Sequence, residues 1–185
     1  MAAIRPVEPV MRFCAVIAGD ERSRQWGIDR LRRQWGDVAE VTAPAPFEAG
    51  GFYDAAMGAG LQKVLVGMSV PCNPAGLADW KSTTNRWEDE WAEQADAPVP
   101  RPLNLDPGYV TQAKLVLATT KDRDHRLYLR DGMFAEVTLN YVAGRWVHHR
   151  WTYPDYRTEQ VKAFAQRCRD RLRTHLQAGG GFRRV

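Results

Sequence analysis

What the chain has little of narrows its reading first. Among 185 residues there are three cysteines, Cys14, Cys72 and Cys168, far apart and with no two-residue spacing between them. An odd, scattered set argues against a disulfide framework or a cysteine zinc site and fits reduced thiols. No apolar run approaches the roughly 20 residues that cross a bilayer. The short apolar stretch from Phe13 to Ala18 follows Arg12 and is closed by Asp20, a poor match to a signal peptide. No membrane partner and a cytoplasmic location are therefore expected. Phosphate-loop chemistry is disfavoured as well, because Gly58-Ala59-Gly60-Leu61-Gln62-Lys63 has neither the spacing nor the Lys-Ser/Thr ending. In Thr120-Lys121-Asp122-Arg123, an arginine stands where a guanine-reading Thr-Lys-x-Asp motif has its aspartate. A helix-borne histidine pair, a serine elbow, a Cys-x-x-Cys and an aromatic RNA-binding strand motif are also missing. The residues alone name no cofactor and no reaction, and leave open whether the chain is an enzyme.

What is present suits one compact core: 44% of residues are hydrophobic, and the length fits a single domain over 1–185, with 1–9 and 178–185 expected to be flexible. The formal charge of +4 is unevenly spread, with Arg167, Arg169, Arg171, Arg173, Arg183 and Arg184 crowded near the C-terminus. Such a run reads either as the solvated face of a helix or as a nucleic-acid surface.

Val10–Ile17 is short and mostly apolar and predicts a first strand. Asp20 or Ser23 caps a helix over Glu21–Trp35, which Gly36 stops. A second strand, Val38–Val41, is followed by a loop from Thr42 to Gly51, a helical turn over Phe52–Met57 and a third strand over Leu61–Val70. Asn73-Pro74 opens a helix on which Leu77, Trp80, Thr84, Trp87 and Trp91 form one inward stripe. Ala95–Pro102, with three prolines, is an extended connector. If Lys114–Thr119 joins the same sheet, the order is βαββαβ, the ferredoxin-like pattern. The fold class expected is therefore α+β, a ferredoxin-like core with a C-terminal antiparallel β-hairpin extension, closed by an amphipathic helix over Thr158–Leu176.

Reactive groups concentrate between Asn104 and Arg157. Asp106-Pro107-Gly108 reads as a turn. Thr119 to Asp122 stand at the end of an apolar strand, and Asp131-Gly132 is a strong two-residue hairpin signal, with Ala143-Gly144 a weaker one. A two-residue turn at Asp131-Gly132 sets Arg130 opposite Met133, Leu127 opposite Glu136 and His125 opposite Thr138. His125, Glu136, Thr138 and Asn140 then share a face, joined by His149 from the third strand. Tyr128, Ala135, Val137, Leu139 and Tyr141 fall on the other face and suit the core. An imidazole beside a carboxylate is an acid/base or metal-binding pair; the alternative is a face that alternates polar residues because it meets water. The candidate catalytic residues are His125, Glu136 and Asp106. The candidate ligand contacts are Asn104, Thr120, Lys121, Arg126, Thr138, Trp151, Tyr153 and Asp155. Asp155 has the plainer alternative of capping the last helix. Lys121, Arg126 and His125 point to a small anionic, phosphate-bearing ligand with acid/base or metal-assisted hydrolysis. The alternative function is RNA binding or protein interaction through the arginine-rich helix, with Tyr153 and Tyr156 as exposed aromatics.

The segments Asn104–Tyr109, Lys114–Asp122, His125–Leu129, Ala135–Leu139 and Trp151–Arg157, in that order, resemble a bacterial domain-of-unknown-function family, number 4416. The Leu77–Trp91 helix with Thr84 and Asn85 also fits, so the resemblance spans almost the whole chain. It implies a small cytoplasmic bacterial protein with no established activity. His148 and His149 fall outside the matching segments.

Overall fold

The computed structural model describes residues 6–48 and 53–179. Gly50, Gly51, Phe52, Arg183 and Arg184, and most of the termini expected to be flexible, lie outside the described residues. Among the described residues the fold is α+β: a nine-stranded antiparallel sheet with four helices. The strands are β1 (Met11–Ala18), β2 (Val38–Val41), β3 (Ala45–Pro46), β4 (Gln62–Met68), β5 (Asn104–Val110), β6 (Lys114–Thr119), β7 (Arg126–Arg130), β8 (Met133–Val142) and β9 (Arg145–His148). The helices are α1 (Glu21–Trp35), α2 (Asp54–Met57), α3 (Leu77–Gln94) and α4 (Glu159–Ala178). The sheet order is β2-β4-β1-β5-β6-β8-β7, with β3 beside β4 and β9 beside β8.

Alternation along β1 assigns the two faces. Cys14, Val16 and Ala18 pack with Ile28 and Leu31 of α1 and Trp87 and Trp91 of α3. Met11, Phe13 and Ala15 pack with Val161, Phe164, Cys168 and Leu172 of α4. Local signals explain the helix starts: the Asp20 side chain accepts from the Ser23 amide at 2.8 Å and Asn73 from the Ala75 amide at 2.9 Å. The indole stripe of α3 is core, as its spacing predicts, with Trp26 stacked on Trp91 at 4.9 Å. Thr158 caps α4 through the Val161 amide. Asp155 does not cap it; its carboxylate pairs with Lys63 instead, at 2.5 Å.

The main departure from expectation is at Asp106-Pro107-Gly108, which is strand and not turn. Lys114–Thr119 does join the sheet, but β5 stands between it and β1. Pairing with β1 runs the whole length from Asn104↔Ile17 to Val110↔Met11, whereas pairing with β6 covers only Gly108↔Leu117, Tyr109↔Val116 and Val110↔Leu115. Thr111 donates its amide to Lys114 across this side, so by alternation Tyr109, Pro107 and Leu105 also face β6. Proline has no N–H to give, and the ladder stops there. Where it resumes, the backbones come close: a Cβ on Gly108 would lie 2.3 Å from the Val116 carbonyl oxygen and 2.7 Å from the Phe13 ring.

The hairpins form at both expected turns, with positive φ at Asp131, Gly132, Ala143 and Gly144. Their registers are corrected by bulges. Arg130 faces Met133, but a shift at Leu129 puts Leu127 opposite Ala135 and Arg126 opposite Glu136. A second shift leaves Thr138 unpaired between Val137↔Val116 and Leu139↔Leu115. The expected apolar face is thereby split: Ala135 and Val137 pack against the Trp80 side, Leu139 and Tyr141 against α4, and Tyr128 is exposed. Asn140 donates to the Ala113 carbonyl, away from Glu136.

Gly108→Ala should therefore destabilise the fold by about 2–3 kcal/mol, since the obstacle is backbone and cannot rotate away. Urea midpoints measure this; a change below about 0.5 kcal/mol would mean that β5 and β6 are not so tightly apposed.

Candidate functional site

Beyond Pro107 the strands part, and Leu105 is left with an amide and a carbonyl that no strand meets. Side chains from α3 take over. The Leu105 amide donates to Glu88 Oε1 at 2.8 Å, and its carbonyl accepts from Lys81 Nζ at 2.8 Å and from Thr84 Oγ1 at 3.3 Å. Lys81 also reaches Asp106 Oδ1 at 3.0 Å, and Arg101 donates to Glu88 Oε2 at 2.6 Å. Asn104 accepts from Arg101 and donates to Asp106 Oδ2 at 2.7 Å. Lys81 and Glu88 are sealed in, with side chains 6% and 7% exposed, while Asp106 keeps 31% of its side chain open.

The space between the parted strands is a cavity of about 810 Å³. One wall is α3, through Lys81, Asn85, Glu88 and Asp89. Tyr153, Asp155 and Tyr156 form another, and Thr119, Thr120, Lys121 and Arg123 a third, with Phe47 and Tyr53 beside them. Glu136 and Arg126 line it as well, joined at 2.9 Å, and Arg126 also donates to the Lys121 carbonyl. A second hollow, about 460 Å³, lies beside the start of α1, where Asp20 is engaged with Ser23, Ser23 with the Trp91 indole and Arg22 with the Ala95 carbonyl.

Of the residues singled out from the sequence, Asn104, Asp106, Thr120, Lys121, Arg126, Glu136, Tyr153 and Asp155 border this one cavity. His125, Thr138 and Trp151 do not. His125 Nε2 lies 3.1 Å from Glu136 Oε2, so the expected pair forms, yet the imidazole is not part of the lining. Thr138 Oγ1 donates to Glu136 Oε1 at 3.3 Å. Trp151 serves the sheet: β7 and β9 share one edge of β8 end to end, and in the gap Trp151 Nε1 donates to the Val137 carbonyl and Thr152 Oγ1 to that of Thr138. Its ring is stacked between His125 at 5.1 Å and His149 at 4.5 Å, so the two imidazoles are kept apart by an indole. Among the described residues no three His, Cys, Asp or Glu side chains come together as a metal-holding group.

Sequence reasoning missed Lys63, Lys81, Glu88, Arg101 and the role of Tyr156. Two signals were available. Lys81, Thr84 and Glu88 recur at i, i+3 and i+7 on the buried side of a helix, and Lys63 immediately precedes the apolar run of a strand, Val64 to Met68.

Electrostatics follow the pairing. Burial works against the Asp106 carboxylate, but Lys81, Asn104 and Arg101 outweigh it and hold its pKa below the usual range. Burial opposes the Lys81 ammonium too, and Asp106 with Glu88 carries its pKa above normal. Glu88 is pushed up by burial, which its cationic neighbours only partly offset. Burial lowers Lys63, against the pull of Asp155. Lys121 is also lowered: by burial, with Asp106 opposing and Arg126, Arg101 and Arg123 adding to the fall.

The family model described as "Domain of unknown function (DUF4416)" matches residues 8–172. The chain belongs to this family. No curated protein and no solved structure matches it. The match runs through every wall of the cavity, since Phe47, Lys81, Asp106, Lys121, Glu136 and Tyr156 all fall within it. No helix among the described residues is long and apolar enough to cross a membrane.

Lys81→Met keeps the bulk but takes the ammonium from Asp106 and leaves Glu88 to Arg101 alone, which should cost about 3–5 kcal/mol at neutral pH. Asp106 has a folded pKa below its unfolded value of about 3.9, so its contribution is present above that value and is lost as pH falls through the folded one. Without Lys81 the native state takes up protons at higher pH, so the deficit relative to the parent should shrink as pH falls from 7 to 4. Urea titrations across that window read it; parallel profiles would mean that Lys81 does not hold Asp106 charged.

Proposed function

We propose that the chain binds a small anionic, phosphate-bearing ligand in the cavity between β5 and β6. One observation carries this reading: Lys121, Arg101, Arg123 and Arg126 all line one half-enclosed space, where burial lowers the Lys121 pKa, Asp106 opposes, and the three guanidiniums add to the fall. Cations gathered around one space favour an anion there. Thr120 stands beside Lys121 with its hydroxyl available, and Phe47, Tyr53 and Tyr153 supply aromatic walls. About 810 Å³ falls within the range of small-molecule sites.

Any acid/base or hydrolytic chemistry in this reading falls to groups that line the cavity. Of the ion-paired carboxylates that line it, Asp106 has the most exposed side chain, and its depressed pKa suits a hydrogen-bond acceptor that orients the ligand better than a proton acceptor at neutral pH. His125, touching Glu136 from outside the lining, acts on the position of that carboxylate. The order β5-β1-β4-β2, with α1 and α3 packed on one face, supports reading the first half of the chain as a ferredoxin-like core in which β5 is the fourth strand.

RNA binding by α4 finds less support. Arg169 is buried, donating to the Gln112 carbonyl at 2.7 Å with its guanidinium 3.7 Å from the Tyr141 ring centre. Arg173 donates to Gln112 Oε1, Arg167 pairs with Glu40, and Tyr156 is buried. The helix therefore does not present a stripe of exposed arginines.

Thermal shift with inorganic phosphate, pyrophosphate and nucleoside phosphates tests the reading. A ligand at a hundred times its Kd stabilises by about 2.7 kcal/mol, several degrees for a chain of this size. The shift should be present in the parent and lost in Lys121→Ala/Arg123→Ala. No shift from any member of the series, or an equal shift in the double variant, would contradict it.

A further inference from the structure

His125 has a carboxylate oxygen at each ring nitrogen: Nδ1 lies 2.9 Å from Asp124 Oδ1 and Nε2 lies 3.1 Å from Glu136 Oε2. A neutral imidazole carries one N–H, so it donates to one of these oxygens and turns a lone pair on the other. The imidazolium donates to both. Its ring also lies nearly parallel to that of Trp151, 5.1 Å away with 14° between the planes, and an indole face favours a cation. Imidazole is the side chain whose charge changes between about pH 5 and 8, so this arrangement is completed by a proton within the physiological range.

The charges around the imidazole decide what that proton does. Asp124, its neighbour on the loop between β6 and β7, is exposed and also paired with Arg150 at 2.8 Å, so the two cancel in water. Trp151 keeps His149 on its far side. Glu136 of β8 is different, because the oxygen that faces His125 also accepts from Arg126 Nε of β7 at 2.9 Å. The Glu136 and Arg126 side chains are nearly closed to water and both line the cavity, which His125 does not. With a neutral imidazole the carboxylate and the guanidinium offset each other. With an imidazolium the three groups together hold one positive charge in surplus at the cavity wall, where water screens it little.

We propose that anion binding in the cavity is coupled to a proton on His125: without touching the ligand, the imidazole sets whether the Arg126–Glu136 pair beside it is neutral or leaves a positive charge in surplus. This rests on the anion-site reading and adds its regulation by pH. Affinity is highest when the imidazole is charged and falls as pH rises through the range where it titrates. By reciprocity, an anion that enters the cavity draws a proton on to His125.

Sulfate is the probe, because its own charge is constant from about pH 5.5 to about pH 8.5, where imidazole titrates. In calorimetric titrations the parent should bind it about tenfold more tightly at the lower end of this range than at the upper, as one added charge nearby allows. Titrations in two buffers of different ionisation enthalpy should show an uptake of up to about half a proton per sulfate between those limits. His125→Gln keeps an amide donor for Glu136 but never takes a charge, so its affinity should change by no more than about twofold and the uptake should disappear. Glu88, raised by burial, and Lys121, lowered by it, also line the cavity; a dependence that came from them would survive this substitution. Parallel pH profiles in the parent and His125→Gln, or sulfate binding to the parent with no proton uptake anywhere in the range, overturns the proposal. In either case the anion reading stands if Lys121→Ala/Arg123→Ala still loses sulfate. If the parent binds no sulfate even at the acid end, the proposal falls and the phosphate series alone decides the anion reading.

Discussion

A missing N–H at Pro107 governs the rest of the structure. Continuous pairing of β5 with β6 would leave no room between them. The proline interrupts the ladder on the β6 side only, so β5 stays fully paired to β1 and remains part of the sheet. Opening a sheet in its middle exposes backbone groups that cannot stay unpaired when buried. Glu88, Lys81 and Thr84 meet those of Leu105, which couples the opening to α3.

That solution brings charge inside, and charge inside must be matched. Lys81 answers Asp106 and Glu88, Arg101 answers Glu88, Arg126 answers Glu136, and Lys63 answers Asp155. Buried pairs of this kind add little net stability over apolar packing, but breaking one is severe. The same groups that close the backbone account therefore also form a rigid polar lining. Residues as far apart in sequence as Phe47, Lys81, Asp106 and Asp155 meet around the cavity.

Much of this was legible in the residues. Helices α1, α3 and α4 follow from apolar spacing and caps, and β6, β7 and β8 from β-branched runs and an Asp-Gly turn. The pairing of His125 with Glu136 survives a one-residue register shift because His125 lies just beyond the end of β7, where it is free of the ladder. Asp106-Pro107-Gly108 reads as a turn because these are turn residues; in the fold the proline faces the gap and the glycine permits a close approach, two uses that only tertiary context reveals. The bulge at Thr138 likewise has no local mark, and it moved Asn140 and the apolar alternation of β8. Lys81 and Glu88 were hidden for the opposite reason: polar positions beside three indoles on a helix read as its solvent margin until a strand with unpaired backbone is set against them.

Amide hydrogen exchange at Leu105 in Glu88→Ala, with Tyr109 as reference, is the most direct measurement. If the ladder ends at Pro107 and a side chain holds the Leu105 amide, that amide is protected in the parent and exchanges fast in the variant, while Tyr109, facing β6 within the ladder, stays protected. Unchanged protection at Leu105 would mean that another strand already bonds it, and that β5 and β6 do not part.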